Sequence, residues 1–451
     1  MSSIVLRKYP YEYDGLSADR QGLSLLSCFG LSLASAALLL GGLFSPVFAL
    51  SAFVIHVCML LFLTERDMFS QMAFLLPFAA IYKIGGFPTS LYTILLFILV
   101  AVLALKRKTI RCTTLFSVLI LLAYLLVQFS GDFLTIVKLC AFLLLFLLFT
   151  ERAGPDYLKK MTLLFSLGLI TSSTMGLFKA SLPKINYYLS QADSLYIDGV
   201  LYSRFTGLVS DPNYYSAGIM ICLAALTVLY LKKELGIEYW LLFIILSGFG
   251  FLTYSKSFTL FYSLLVFVSA FTLLKAGSKK RRLLVIIGIA IVLSAVILAI
   301  LQERIELINI MIRRFQTEDA TTGRSALWLW YIDFLKQRPF TLCFGVGANN
   351  NMINGRAVHN FYLEIVYHLG LIGAILYLIP VSFALFIRQR TSKRVFFNYF
   401  PVVLLIMISF FLNELFDYYL PFYLIFCWMI LNRQLPQAKG LNPNFPPTER
   451  R

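Results

Sequence analysis

Apolar runs close to the length of a bilayer crossing recur from one end of this 451-residue chain to the other. A span needs about 20 consecutive apolar residues. In lipid its backbone must satisfy its own polar groups, which leaves helices or closed barrels. Runs near 22–41, 45–63, 68–84, 89–105, 113–130, 133–150, 158–178, 214–231, 238–254, 257–275, 283–301, 360–387, 398–413 and 418–433 predict about fourteen helices. The expected fold class is an all-α polytopic membrane protein. The pair 68–84 and 89–105 gives the weakest signal, because its first member is short and contains Pro77. The run at 22–41 follows a polar stretch and is succeeded almost at once by another, so it reads as a retained span rather than a cleavable signal.

Composition agrees. The chain is 59% hydrophobic and 14% charged, against about 25% charged for an ordinary soluble domain. Its formal charge of +17 is not a nucleic-acid signature. The basic clusters fall at Lys106 to Lys108 with Arg111, at Lys275 with Lys279 to Arg282, and at Arg388, Arg390, Lys393 and Arg394, all in short loops between apolar runs. That is the positive-inside pattern of cytoplasmic loops. It gives a cytoplasmic segment 1–21, a membrane bundle 22–178, an outer loop 179–213, central membrane helices 214–301, a large helical outer loop 302–359, C-terminal membrane helices 360–433, and a Pro-rich cytoplasmic tail 434–451 expected to be disordered. Within the large loop, "ERIELINIMIRRFQ" sets Ile305, Ile308, Ile312 and Phe315 at helical spacing, and "GRSALWLWYIDFLKQRP" reads as a second amphipathic helix ending before Pro339. The seven cysteines form no Cys-x-x-Cys and most lie in or at the ends of apolar runs, so they read as small apolar side chains.

On this topology the polar residues gather at one membrane depth. Arg204 and Asp211 precede the run at 214–231; Lys256 lies in the turn "TYSKSF"; Arg324 lies in "TTGRSALW"; His359 and Asn360 open "HNFYLEIVYHLG"; Lys83 ends the run at 68–84. Cations collected at the outer ends of several spans run against the positive-inside trend and ask for an anion. A phosphate or pyrophosphate fits: arginine binds it bidentately, lysine as a point charge, and a helix N-terminus adds N–H donors. Asp211-Pro212-Asn213 supplies such an N-terminus, with Asp211 equally readable as a helix cap and Pro212 at the first helical position. Of the three histidines, His56 sits alone in an apolar run as a packing residue, and His368 lies four residues after Glu364, a spacing at which the two can satisfy each other. His359 sits where a substrate arrives, and an imidazole suits proton abstraction near neutral pH.

Several chemistries are missing from the sequence. There is no His-Glu-x-x-His, no Cys/His ligand spacing, no Asp-x-Asp and no Walker lysine. "GVGANN" lacks a following Rossmann pattern and reads as a turn. No metal and no cofactor is expected.

"RFTGLVSDPNYYSAG", "TYSKS", "TGRSALW" and "HNFYLEIVYHLGLIG", taken in order over residues 200–385, resemble the O-antigen ligase and polymerase superfamily. The resemblance implies a GT-C-like membrane glycosyltransferase of the bacterial cytoplasmic membrane, with its active site on the outer face. Its substrates are oligosaccharides linked to undecaprenyl pyrophosphate, as donor and acceptor, beside membrane lipid; no nucleic acid is involved, and a polysaccharide chain-length regulator is a partner of such polymerases. By resemblance, His359 matches the base that deprotonates the acceptor hydroxyl. Arg204 and Arg324 match basic positions at the donor pyrophosphate. Lys256 stands where many members carry arginine, and Lys83 matches a further outer cation. Asp211, Asn213, Tyr214, Asn360 and Glu364 fall in supporting or acceptor-binding positions, and Tyr214, Tyr215, Trp328 and Tyr362 are readable either as sugar-stacking rings or as packing.

The motifs leave two enzymes open. A polymerase joins one carrier-linked repeat to another; a ligase moves finished glycan to lipid A core or a protein. The first motif looks most like polymerases of O-antigen, capsular and exopolysaccharide clusters. The reading from a different class is a lipid-linked oligosaccharide transporter, which would place its polar groups near the bilayer midplane.

Overall fold

The computed structural model describes residues 22–432 except 86–88, 108, 129–130, 153, 155–156, 183–184, 186–188, 190–193, 198–199, 277–305, 318–322, 350–351, 354, 388–395 and 414. Sixteen α-helices stand among the described residues: α1 (Leu25–Phe44), α2 (Pro46–Phe62), α3 (Glu65–Leu75), α4 (Leu91–Lys106), α5 (Cys112–Val127), α6 (Phe133–Arg152), α7 (Tyr157–Leu177), α8 (Pro212–Leu231), α9 (Ile237–Phe251), α10 (Lys256–Ala276), α11 (Glu306–Thr317), α12 (Arg324–Lys336), α13 (Pro339–Phe344), α14 (Phe361–Ser382), α15 (Phe396–Ile408) and α16 (Tyr419–Asn432). Four segments are long and apolar enough to cross a bilayer, Leu25–Phe44, Phe133–Arg152, Pro212–Leu231 and Phe361–Phe386, and six further apolar helices are shorter. The chain is a mostly helical integral membrane protein. The span expected at 283–301 and the tail at 434–451 lie outside the described residues.

Side chains with alternate requirements sit where the sequence punctuates. Ser24, Ser45, Thr64 and Ser90 each cap the helix that follows with a hydroxyl, satisfying donors that the first turn leaves open. One apolar core runs through the bundle, with Trp428, Tyr92, Tyr215 and Tyr423 among its fully buried rings.

The segment expected as a span at 68–84 is not one continuous helix. Helix α3 covers eleven residues and passes through a 3₁₀ turn at Leu76–Phe78, a helical rise of only about 16 Å. Its beginning meets the opposite end of the bundle from His359: Glu65 pairs with Arg107 at 2.8 Å, and Arg107 Nη1 donates to the Leu148 carbonyl at the far end of α6. Its continuation reaches Tyr82 and Lys83, where Leu91 N–H donates to the Tyr82 carbonyl at 2.8 Å. The chain therefore traverses the bundle with helix in one half and irregular backbone in the other. Such backbone is tolerated at membrane depth only when enclosed by protein, and residues 67–82 are all buried. Gly168 permits the enclosure: a Cβ there would lie 2.3 Å from the Phe74 carbonyl oxygen, so α7 and α3 meet backbone to backbone.

A short hairpin accompanies the helices of the all-α membrane fold. Ser194–Ile197 and Val200–Ser203 pair as an antiparallel hairpin, with Ser194 opposite Ser203 and Ile197 opposite Val200. It lies in the connection ahead of α8. In the long connection between α10 and α14, α12 ends before Pro339, which opens α13. A small separate core of Tyr331, Val358 and Tyr367, with Leu327, Trp328 and Phe334 against it, binds α12 to the chain leading into α14. Among the described side chains of α11, Ile310, packed with Tyr202 and Tyr254, and Arg314 one turn later are buried. Of the neighbouring arginines, Arg313 is exposed and Arg314 buried. Ile305 lies outside the described residues.

Candidate functional site

His359 occupies the junction between the α12–α14 connection and α14. Its backbone is left-handed, with φ of +49°, a region that a non-glycine residue enters at a cost and that concentrates at functional sites. Three contacts hold it there. Trp328 Nε1 donates to the Val358 carbonyl at 3.1 Å, and Tyr331 Oη donates to the Arg356 carbonyl at 2.7 Å. On the other side Asn360 caps α14, its Oδ1 accepting from Tyr362 N–H at 3.0 Å and Leu363 N–H at 3.2 Å. The half-buried imidazole makes no hydrogen bond among the described residues. It is positioned by its neighbours' backbone and left open itself.

Two charges decide its protonation besides burial. Burial depresses its pKa below the ordinary value of 6.5, the adjacent Arg324 guanidinium depresses it further, and Asp211 opposes both. The imidazole is thus neutral at pH 7, the form that accepts a proton. In an NMR titration of the three histidines, we expect the His359 midpoint below 6.5. Arg324→Gln should move that midpoint up, because a cation that disfavours imidazolium is gone, and Asp211→Asn should move it down.

Arg324 opens α12 and lies 5.8 Å from the centroid of the Phe411 ring. Burial draws its pKa down, Asp211 raises it and Arg314 lowers it again. Arg324 and His359 thus share the influence of one carboxylate, with Arg314 acting on Arg324. Arg204 is held differently: its Nε donates to the Thr253 carbonyl at 2.9 Å and its Nη2 to Asn213 Oδ1 at 3.1 Å. Asp211 is the N-cap of α8, its Oδ1 accepting from Asn213 N–H at 2.6 Å. Lys256 begins α10 one residue beyond Ser255, whose hydroxyl reaches Asn213 Oδ1 at 3.4 Å. The segment after the hairpin, the start of α8 and the α9–α10 turn are joined through Arg204 and Asn213, and Asp211 acts electrostatically on Arg324 and His359.

Other expected site residues do different work. Tyr214 Oη donates to the Asn413 carbonyl and Tyr362 Oη to the Ile406 carbonyl at 2.9 Å. Tyr215 is buried against Ser173, which fits packing rather than sugar stacking. Glu364 accepts from Leu415 N–H at 3.2 Å, tying α14 to the 412–418 connection. It does not satisfy His368 in the way the helical spacing suggests. His368 Nδ1 donates to the Gly347 carbonyl at 3.1 Å, because the "GVGANN" turn docks on α14 where Gly370 breaks its helix with φ of +67°. A Cβ on Gly345 would lie 2.3 Å from the His368 carbonyl. His56 is buried, as expected, with Nδ1 2.8 Å from Tyr82 Oη.

Lys83 acts electrostatically on Lys138 of α6. Lys138 also faces Asp132 and Asp417, and Asp417 in turn faces Asp211. Burial pushes Asp417 up to about 7, Asp211 adds to the rise, and Tyr419 N–H and Lys138 oppose it. Lys138, Asp417 and Arg314 were not legible as site residues in the sequence: the first two are single charges within or beside an apolar helix, and Arg314 is one of an arginine pair on an amphipathic one. Among the described residues no group of three or more His, Cys, Asp or Glu side chains is placed to hold a metal ion.

Residues 241–378 match the protein family described as O-antigen ligase, which supports the O-antigen ligase and polymerase superfamily for this chain. The matched segment runs from α9 through most of α14 and contains Lys256, Arg324 and His359. Neither a curated protein nor a solved structure matches the chain.

Proposed function

We propose that this protein is a GT-C-like glycosyltransferase that polymerises undecaprenyl-pyrophosphate-linked oligosaccharide repeats into O-antigen, capsular or exopolysaccharide at the outer face of the bacterial cytoplasmic membrane. The observation that carries the reading is the unpartnered, neutral imidazole of His359 held next to Arg324 and Asp211 at a helix mouth. His359 takes the proton of the acceptor hydroxyl. The hydroxyl oxygen forms a bond to the anomeric carbon as the bond from that carbon to the pyrophosphate oxygen breaks. The electron pair leaves with the pyrophosphate, whose charge Arg204, Arg324 and Lys256 neutralise. A preorganised cationic site favours that charge where it develops. The leaving group is already a good one, so no general acid is required, and a single displacement inverts the anomeric centre. Asp211 stabilises the imidazolium that forms.

The gathering of polar groups at one end of the bundle favours a transferase over a transporter, which would hold them at mid-depth. The ligase alternative differs only in acceptor. Incubating the purified protein in lipid with one substrate, the carrier-linked repeat, separates the two. A size ladder is the expected product. Intact substrate that is consumed only when lipid A core or a protein acceptor is added would establish the ligase instead.

A further inference from the structure

Polymerisation brings two lipid pyrophosphates to the membrane surface, one on the donor and one on the acceptor, while the arginine group accounts for one. A second cationic place exists at the same end of the bundle. Lys83 follows the irregular half of the α3 segment, and Lys138 lies in the second turn of α6. Both residues are half-buried, and neither makes a hydrogen bond or ion pair among the described residues. Two carboxylates are near, yet each serves a helix start. Asp132 Oδ2 accepts from Thr135 N–H at 3.1 Å and its hydroxyl at 2.7 Å at the head of α6; Asp417 Oδ1 accepts from Tyr419 N–H at 2.9 Å at the head of α16. Tyr92 and Tyr418 meet edge to face at 5.5 Å beside them. Two like charges, partly withdrawn from water without a hydrogen-bonded counterion, are unfavourable unless an anion joins them. Asp417 interacts electrostatically with both Lys138 and Asp211, so it lies between the charges of the lysine pair and those of the arginine group in the interaction chain.

We propose that Lys83 and Lys138 form a second anion subsite, which holds the pyrophosphate of the acceptor lipid while Arg204 and Arg324 hold that of the donor. The inference rests on the polymerase reading and adds the acceptor's place to it. Lysine suits this role: an acceptor pyrophosphate is not the leaving group and needs a point charge rather than a bidentate fork.

The test is native mass spectrometry of the full-length protein with undecaprenyl pyrophosphate, alongside kinetics with two acceptors. Wild type should bind two copies, and Lys83→Gln with Lys138→Gln should bind one. The same double variant should raise KM for the lipid-pyrophosphate acceptor by about tenfold or more, the scale of a lost charge-assisted contact. It should leave KM unchanged for a soluble glycan acceptor that lacks pyrophosphate. Lys83→Arg with Lys138→Arg should restore both, separating charge loss from misfolding. Two copies still bound by the glutamine variant, or equal losses with both acceptors, would overturn the subsite. So would phosphatidylglycerol or inorganic pyrophosphate filling the second place as readily, since the place would then be a general anion site. Wild type that binds no lipid pyrophosphate would instead remove the polymerase reading on which the subsite rests.

Discussion

His359→Ala is expected to lower turnover by about 10²- to 10⁴-fold, the range a positioned general base contributes, with donor affinity nearly unchanged. The split follows from the geometry. The imidazole makes no hydrogen bond among the described residues, so its removal orphans no buried partner. The fixtures around it act on backbone: Trp328 on the Val358 carbonyl, Tyr331 on the Arg356 carbonyl, Asn360 on the first turn of α14. All three survive the substitution. Alanine also meets the same left-handed backbone at residue 359, which histidine tolerates somewhat better, so a small stability loss accompanies the kinetic one. A melting temperature and a donor titration, measured with the rate, keep the effects apart. A rate within a fewfold of wild type would show that the proton leaves by another route.

Arg324→Ala carries the second large expectation, a loss of about 10²- to 10³-fold in turnover, the cost of removing one preorganised donor to developing charge. Arg324→Lys should recover only part, because the ammonium keeps the charge and loses the planar fork. The competing account is that Arg324 serves only to lie over Phe411. A cation–π contact at such a site contributes on the order of 1 kcal/mol; on that account Arg324→Ala would lower stability a little and leave the rate alone. Arg204→Ala differs in kind. Its guanidinium also joins Thr253 to Asn213, so losses in rate and in fold are expected together, which makes Arg324 the cleaner probe.

The sequence exposed the parts of this molecule that local chemistry dictates. Asp211 and Asn360 each precede an apolar run, and both prove to be helix caps that set where a charged neighbour emerges. Pro212 opens its helix because a first-turn residue needs no N–H. What stayed hidden was set by tertiary contact. Eleven helical residues followed by irregular backbone look like a full span, because apolar composition does not record where the helix stops. The hairpin at 194–203 has too few residues to show a period. Glu364 and His368 share a helix spacing, but the glycine turn reaches His368 first. Trp328 reads as a sugar-stacking or packing ring, whereas its indole N–H fixes the residue before His359. A single lysine in an apolar helix reads as snorkelling, and only the fold sets Lys138 beside Lys83.

The central claim is that lipid-linked pyrophosphate meets the arginines at the His359 end of the bundle. A cryo-electron-microscopy structure of His359→Ala, trapped in lipid with the undecaprenyl-pyrophosphate-linked repeat, tests it most directly. The pyrophosphate is expected against Arg204 and Arg324, with the first sugar's anomeric carbon facing the vacated side of residue 359. Density for the pyrophosphate at the opposite end, beside Arg107 and Glu65, or at mid-depth between helices, would contradict the account.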